Sequence, residues 1–238
     1  MIWRTVTAGI GVVMLAAVAG VTHAGDDAPA RSIAARYETV GVDATGRVTA
    51  KSNWYLVRTP DRVETAGEGR AEIWDRSERG DVSMRRLFRD ERLILEYHAG
   101  DLRAMGMERE WRALGSVIDR NLLAKLARVR ATRAAGGPVV VYRGGAGHDR
   151  IDVWWNEVLG LPALVRWTGE AGKYTMQLVE AHAAAPPGWP LASRWQADEF
   201  RVIDAADLGD LEHDPVVKRI LRADASRRPG DAFAHRHD

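Results

Sequence analysis

Leu164-Val165-Arg166-Trp167-Thr168-Gly169-Glu170-Ala171-Gly172-Lys173-Tyr174-Thr175-Met176-Gln177-Leu178-Val179-Glu180 is the stretch that decides the fold. Two runs rich in β-branched and aromatic residues flank Gly169–Lys173, which reads as a five-residue hairpin loop. In the second run Tyr174, Met176 and Leu178 face one way, and Thr175, Gln177 and Val179 face the other. The same punctuation recurs outward in both directions. Upstream, Ile151, Val153 and Trp155 alternate with Asp152 and Trp154 before Gly160 and Pro162 break the chain. Further upstream, Arg36 to Val42, Asn53 to Thr59, Ala71 to Arg76, Val82 to Phe88, Leu93 to Tyr97 and Val139 to Arg143 read as strands. Polar turns separate them at Ala44–Arg47, Pro60-Asp61, Ser77–Asp81, Arg89–Glu91 and Gly144–His148. Strands this short, with turns this regular, predict an antiparallel meander.

One segment breaks the pattern. Met107, Trp111, Leu114, Ile118, Leu122, Leu126 and Val129 follow at steps of three and four, which predicts a single amphipathic helix over Met107–Val129. Its stripe should lie inward on the sheet, with Lys125 snorkelling out. Several strands are apolar on both faces: Trp54 with Tyr55, Ile73 with Trp74, Trp154 with Trp155. Burying both faces needs two covering layers, or a sheet curled around an apolar concavity. The fold class expected is α+β: a curled, unclosed antiparallel sheet covered by one or more helices. Trp54, Leu56, Trp74, Met84, Leu95, Tyr97, Trp155, Trp167, Met176 and Leu178 are the residues expected to line that concavity.

Composition narrows the function. The 238 residues carry 30 arginines and only 4 lysines against 33 acids, for a net charge of +1. Near-neutrality argues against general nucleic-acid binding, which needs a basic face. The chain holds no cysteine, so disulfides, thiolate metal sites and a cysteine nucleophile are excluded. At the start, Arg4, the 14-residue apolar run Ala8–Val21, and Thr22-His23-Ala24 have the form of a cleaved signal peptide over residues 1–24. The run is short of the ~20 residues needed to span a bilayer. Removing it leaves a mature chain with balanced charge.

The expected organisation is a signal peptide (1–24), a flexible leader (25–33), a sheet domain (34–182), then a linker, strand and short helix (183–223), and a disordered tail (224–238). A strand is expected over Trp195–Ile203. A helix should start at Pro215, with Asp214 as its N-cap.

Catalytic signatures are few. No Walker loop, dinucleotide fingerprint, nucleophile elbow or zincin motif occurs. Gly144-Gly145-Ala146-Gly147 opens no strong helix, so it does not read as a phosphate loop. Asp204, Asp207, Asp210, Glu212, His213 and Asp214 are dense enough to hold a hard cation, but lack the spacing of an EF-hand. A solvated loop ending in a helix cap is the simpler reading. The histidines are scattered. Arg85, Arg86, Arg89 and Arg92 form a basic cluster beside Asp90, Glu91 and Glu96, which reads as a solvated hairpin tip, or else as a lipid-headgroup or partner contact. No cofactor and no metal is expected.

A resemblance adds to this. Trp54-Tyr55-Leu56-Val57-Arg58-Thr59-Pro60-Asp61-Arg62-Val63, Ala71-Glu72-Ile73-Trp74-Asp75-Arg76, Asp152-Val153-Trp154-Trp155 with Leu161-Pro162-Ala163-Leu164-Val165-Arg166-Trp167, and Gly172-Lys173-Tyr174-Thr175-Met176 resemble the LolA-like group of periplasmic lipoprotein carriers. That group includes the LolB receptors and RseB-type stress regulators. The likeness spans residues 34–182, and residues 183–238 have no counterpart. It implies an unclosed β half-barrel lidded by helices, with an apolar cavity for lipid chains or the lipid-modified end of a lipoprotein. It also implies a lid-gating place for Arg58, which matches the arginine of the group's Arg-Pro motif; here Thr59 stands between Arg58 and Pro60. The lack of cysteine excludes a LolB-like lipid anchor.

The leading expectation is therefore a periplasmic, non-catalytic carrier or chaperone binding a lipid or lipoprotein, with an envelope protein as a further partner. A protein-interaction or sensor module of the envelope stands second, and a metal-dependent enzyme using Asp204–Asp214 third. The export reading has a direct check. N-terminal sequencing of protein secreted from its own host should begin at Gly25; a start at Met1 removes the signal peptide.

Overall fold

The computed structural model describes residues 31–118, 120–134, 137–146, 148–211 and 213–226. The signal peptide, residues 25–30 of the leader and residues 227–238 of the expected tail lie outside the described residues. Twelve strands form one sheet: β1 Ile33–Asp43, β2 Val48–Arg58, β3 Arg62–Gly67, β4 Arg70–Arg76, β5 Val82–Phe88, β6 Leu93–Tyr97, β7 Ala127–Ala134, β8 Gly137–Ala146, β9 Asp149–Asn156, β10 Leu161–Gly169, β11 Gly172–His182 and β12 Arg201–Asp204. Their spatial order is β12-β6-β5-β4-β3-β2-β1-β11-β10-β9-β8-β7. Every neighbouring pair is antiparallel except β12 against β6, which is parallel. The sheet curls without closing, giving an unclosed half-barrel with helices, as the sequence predicts. Among the described residues no helix is long and apolar enough to cross a membrane.

Turn chemistry explains the register. The Asp43 carboxylate accepts from the backbone N–H groups of Thr45 and Arg47, and Gly46 takes the left-handed conformation at φ 87°, closing β1 onto β2. At the β10–β11 hairpin the ladder runs to Gly169 opposite Gly172. The connection is thus the two residues Glu170-Ala171, not five. Gly172 has φ 134°, and a Cβ there would come within 2.1 Å of the Val42 carbonyl oxygen of the adjoining strand β1. Only glycine fits. Pro162, expected as a breaker, lies inside β10 where the register against β9 shifts; a bulge tolerates its missing N–H.

Three further expectations change. The helix expected over Met107–Val129 is instead α2 (Trp111–Leu114), α3 (Arg120–Lys125) and the start of β7, while α1 (Ala99–Ala104) precedes them. Gly115 ends α2, where a Cβ would press to 3.1 Å from Arg58 Cδ. Val117 then adopts φ 69°, a conformation that no helix contains. The apolar stripe still points inward, but in pieces, and Val129 is exposed on β7. Arg62–Gly67, not expected as a strand, forms β3. Of the strand expected over Trp195–Ile203, only β12 forms; 3-10 turns at Ala192–Arg194 and Ala197–Glu199 occupy the rest. The final helix, α4 (Pro215–Ser226), starts as expected. Asp214 caps it by accepting from the N–H groups of Val216 and Val217.

Alternation along each strand builds two apolar faces. Leu56, Trp74, Met84, Leu95, Tyr97 and Leu178 point to the inner face. There Leu102 of α1 and Val217 and Ile220 of α4 cover them, with Trp111 and Leu114 of α2 packed alongside. Farther along the same face, Ile151, Val153, Trp155 and Val165 meet Ile118 and Leu123. The outer face of β1–β6 carries Ala34, Ala66, Ala71, Ile73, Leu87 and Ile94, which pack against Trp189, Leu191 and Ala192. This strap ties itself down: the Arg194 guanidinium donates to the carbonyls of Ala185, Pro186, Pro187 and Trp189. Tyr55 and Trp189 pack with ring centroids 5.1 Å apart and planes tilted by 59°, and buried Glu64 accepts from the Ser193 N–H. The structure therefore has three layers over β1–β6.

Beyond the strap the outer face carries a charged cluster on β8 and β9. Buried Asp152 of β9 accepts from Arg143 at 2.6 Å, and Arg150 stands 3.5 Å away. Burial pulls the Asp152 carboxyl upward, but the two guanidinium groups outweigh it and hold it below the usual carboxylate range. A depressed folded pKa stabilises the fold at pH values above the unfolded pKa, and that stabilisation is lost as pH falls through the folded value. Asp152→Asn should therefore be clearly less stable than wild type at pH 7. In urea melts the gap should shrink as pH drops below about 3.9. A gap that stays constant from pH 7 to pH 2 would remove this electrostatic account.

Candidate functional site

The inner face gathers the sequence-predicted residues. Leu56, Trp74, Met84, Leu95, Tyr97 and Leu178 are buried in one cluster, with Trp54 and Met176 partly buried against it. Met176 also touches the neighbouring cluster that holds Trp155. Trp167 lies opposite Ile151 and Tyr174, two residues beyond inward-facing Val165, so it is half-buried on the same face near the sheet's far end. Nine of the ten fall in these two clusters, which meet at Met176. A groove of about 240 Å³ lies between α3 and β8–β9, where Leu123, Tyr142, Trp155 and Glu157 line it. A second, of about 430 Å³, opens between the β4–β5 turn and α1–α2, beside Val82, Leu102, Arg103 and Glu108. Of the ten, only Trp155 lines either one.

What closes the face is a lid of short pieces. Residues 99–126 run across it as α1, α2 and α3, of six, four and six residues. Helices of fewer than about 12 residues have little stability of their own; packing and tethers hold these in place. The main tether is Arg58, at the end of β2 and buried to 8% exposure. Its Nη1 donates to the Gly115 carbonyl at 2.5 Å and the Gly160 carbonyl at 3.3 Å. Its Nη2 donates to the Leu159 carbonyl at 2.6 Å, and its Nε to the Arg31 carbonyl at 3.3 Å. One guanidinium thus pins the α2–α3 connection, the β9–β10 loop and the chain entering β1. Asn156 shapes that loop by accepting from the Leu159 N–H. A second tether is adjacent: the Trp111 indole N–H donates to the Pro60 carbonyl at 3.0 Å. Beneath them, Tyr37 donates its hydroxyl to the Pro162 carbonyl at 3.0 Å. Burial pushes its pKa far up, with Arg58 opposing.

The lid also holds strain. Val117, between α2 and α3, has φ 69°. For a β-branched residue this costs roughly 1–3 kcal/mol and persists only because its surroundings enforce it. The Ser116 hydroxyl does so locally, bonding the carbonyls of Ala113 and Ile118.

Sequence reading located Arg58, the apolar floor and the stripe of Trp111, Leu114 and Ile118. It missed Tyr37, α1 with Leu102, and the roles of Gly115, Leu159 and Gly160. The last three act through backbone carbonyls, which no side-chain pattern reveals. Of the acidic segment, Glu212 lies outside the described residues, and two of the others take structural roles. Asp204 caps the turn Ala205–Gly209 by accepting from the Ala206 N–H, and Asp214 caps α4 and binds Arg201 at 2.5 Å. Among the described residues, no three His, Asp or Glu side chains are placed to hold a metal ion.

No family model and no curated protein matches this chain. Solved structures give weak likenesses. PNGF-II is 13% identical, with a TM-score of 0.43, over 78% of this chain and 34% of that one. The Pseudomonas aeruginosa MucA/MucB complex is 16% identical, with a TM-score of 0.39, over 74% of this chain and 59% of the other. A putative outer membrane lipoprotein-sorting protein domain from Vibrio parahaemolyticus is 10% identical, with a TM-score of 0.30, over 74% and 91%. The chain thus spans about a third of the first and just over half of the second. None of these scores carries a functional argument, so function has to come from the chain's own geometry.

That geometry makes Arg58 separable from the core. Arg58→Ala should lower stability by about 3 kcal/mol, the scale of losing charge-assisted hydrogen bonds to buried carbonyls. Amide exchange should quicken selectively across residues 111–126, with β1 and β11 amides unchanged. Uniform acceleration through the whole sheet would make Arg58 an ordinary core contact.

Proposed function

We propose that this chain is an exported, non-catalytic binding module of the bacterial periplasm that takes up the acyl chain of a lipid, or of a lipid-modified polypeptide, between its inner sheet face and the α1–α3 lid. The observation that carries the reading is the Arg58 clamp. A continuous apolar floor is roofed by helices too short to stand alone, and one side chain on the rim ties that roof, at the Gly115 carbonyl, to the Leu159 and Gly160 carbonyls of the β9–β10 loop. In this reading the lid opens at that tether to admit the chain.

Magnitudes constrain how it opens. A 16-carbon chain gains about 10 kcal/mol on burial at roughly 0.8 kcal/mol per CH₂. Exposing Trp111, Leu114, Ile118 and Leu123 together would forfeit a similar amount, at about 1.5–3 kcal/mol each. A lid that swung into water would therefore cancel the gain. It has to shift outward and rest on the ligand, trading contacts with the floor for contacts with the chain. Two grooves flank the lid, one beside α3 and one beside α1 and α2, and support an outward shift there.

Met176, half-buried where the two inner clusters meet, supplies the test. Wild type should bind a fluorescent fatty-acid probe, and Arg58→Ala should bind it with altered on- and off-rates. Met176→Gln should weaken binding by about tenfold, with a smaller loss of stability than a fully buried position would show. If wild type takes up no acyl probe, or if Met176→Gln unfolds the protein, the inner face is an ordinary core. The chain is then better read as an interaction module of the envelope.

A further inference from the structure

The sheet has two edges, and the chain treats them differently. β12 is four residues long, and the turn Ala205–Gly209 and α4 follow it directly. β7 is eight residues long, pairs only with β8, and offers its other side to no strand among the described residues. An open edge of this length is a template for another strand.

Its side chains are distinctive. Arg128 lies opposite Tyr142, and Ala131 opposite Val140, whose partner is Trp155. Tyr142 and Trp155 belong to the inner face, so Arg128 and Arg133 project to that side. A register shift at Val129 turns Arg130 the other way, opposite Val141 and the outer-face residue Trp154. All three arginines are exposed. None forms an ion pair with a described residue, in contrast to Arg143 on the next strand, which binds Asp152.

We infer that β7 is a docking edge for an extended acidic segment of a partner protein, which adds to the sheet as a thirteenth strand. Cations on both faces of the edge decide the occupant. A planar anionic membrane could meet only one face at a time. An added strand alternates its own side chains to both faces, and so can set carboxylates beside Arg128, Arg130 and Arg133 together. A second copy of this chain is disfavoured, because β7 against β7 brings arginine to arginine along both faces. The feature that blocks self-association thus selects the opposite charge. The site is independent of the inner face and stands whether or not that face takes a lipid.

The test uses the full mature chain and a fluorescein-labelled peptide about as long as β7, composed of threonine, valine and four glutamates, two on each face when extended. Fluorescence anisotropy should show saturable binding that weakens as salt rises. Peptide binding should slow amide exchange along β7. Replacing a central residue of the peptide by proline keeps the charge but removes a ladder N–H, and should abolish binding. Arg128→Glu, Arg130→Glu and Arg133→Glu combined should weaken binding by at least about tenfold. Arg130→Gln alone should weaken it less and serves if the triple variant does not fold. Equal binding of the proline peptide, or unchanged β7 exchange, would overturn strand addition in favour of loose charge attraction. Binding of phosphatidylglycerol vesicles without binding of the peptide would overturn the choice of partner.

Discussion

A sheet that curls without closing leaves an apolar inner face that its own strands cannot cover. Every other feature of this chain answers that constraint. A closed barrel would bury the face by packing strands against strands across its axis. Here β7 and β12 stand at opposite ends of the strand order, and helical segments have to supply the roof. The roof comes from two places: residues 99–126, inserted between β6 and β7, and α4 at the end of the described chain. Neither has much helical stability alone. Both exist because Leu102, Trp111, Leu114, Ile118, Leu123, Val217 and Ile220 complete the floor's packing. The coupling runs both ways, since the floor is dry only while the roof is in place.

The sheet was legible because its signal is local. Alternation in Val82–Phe88 or Tyr174–Glu180, and turn residues such as Ala44–Arg47, depend on no distant contact. The double-sided apolar strands also meant what they suggest: Ile73 and Trp74 point to opposite faces, and each finds a cover. What failed was the long helix. The steps from Met107 to Val129 are helical in arithmetic, and the stripe does face inward. But the curvature of the floor requires the chain to turn at Gly115–Val117, and the register with β8 claims residues from Ala127 onward. Tertiary contact overrode a periodicity that three short elements satisfy as well as one long one. β3 went unseen because Arg62–Gly67 alternates only weakly and is specified by pairing with β2 and β4.

The candidate site divides in the same way. Its apolar floor could be read from alternation, because each residue's face follows from its strand. The clamp could not. Arg58 was reached through resemblance to a motif, and its partners include the carbonyl groups of Gly115, Leu159 and Gly160, which carry no side-chain signature. The outer strap was invisible for a similar reason. Ala183–Pro190 has the composition of a linker, yet Trp189 and Leu191 within and beside it are buried against β1–β6, and Arg194 knots the segment by bonding four of its carbonyls. Two arginines thus do similar work on opposite sides of the sheet, each gathering several backbone carbonyls.

The two differ in what they join. Arg194 binds carbonyls within nine residues of itself, so its bonds stabilise one local loop. Arg58 binds segments 27, 57 and about a hundred residues away. Breaking it releases three elements at once, at the one place where Val117 already holds strain directed against the closed form. On the proposed function, that strain would lower the difference between closed and open lid, while the hydrogen bonds of Arg58 would favour the closed one. Strap and lid cover opposite faces, each with an arginine bonded to backbone carbonyls, and of the two only the lid carries a strained residue beside its arginine.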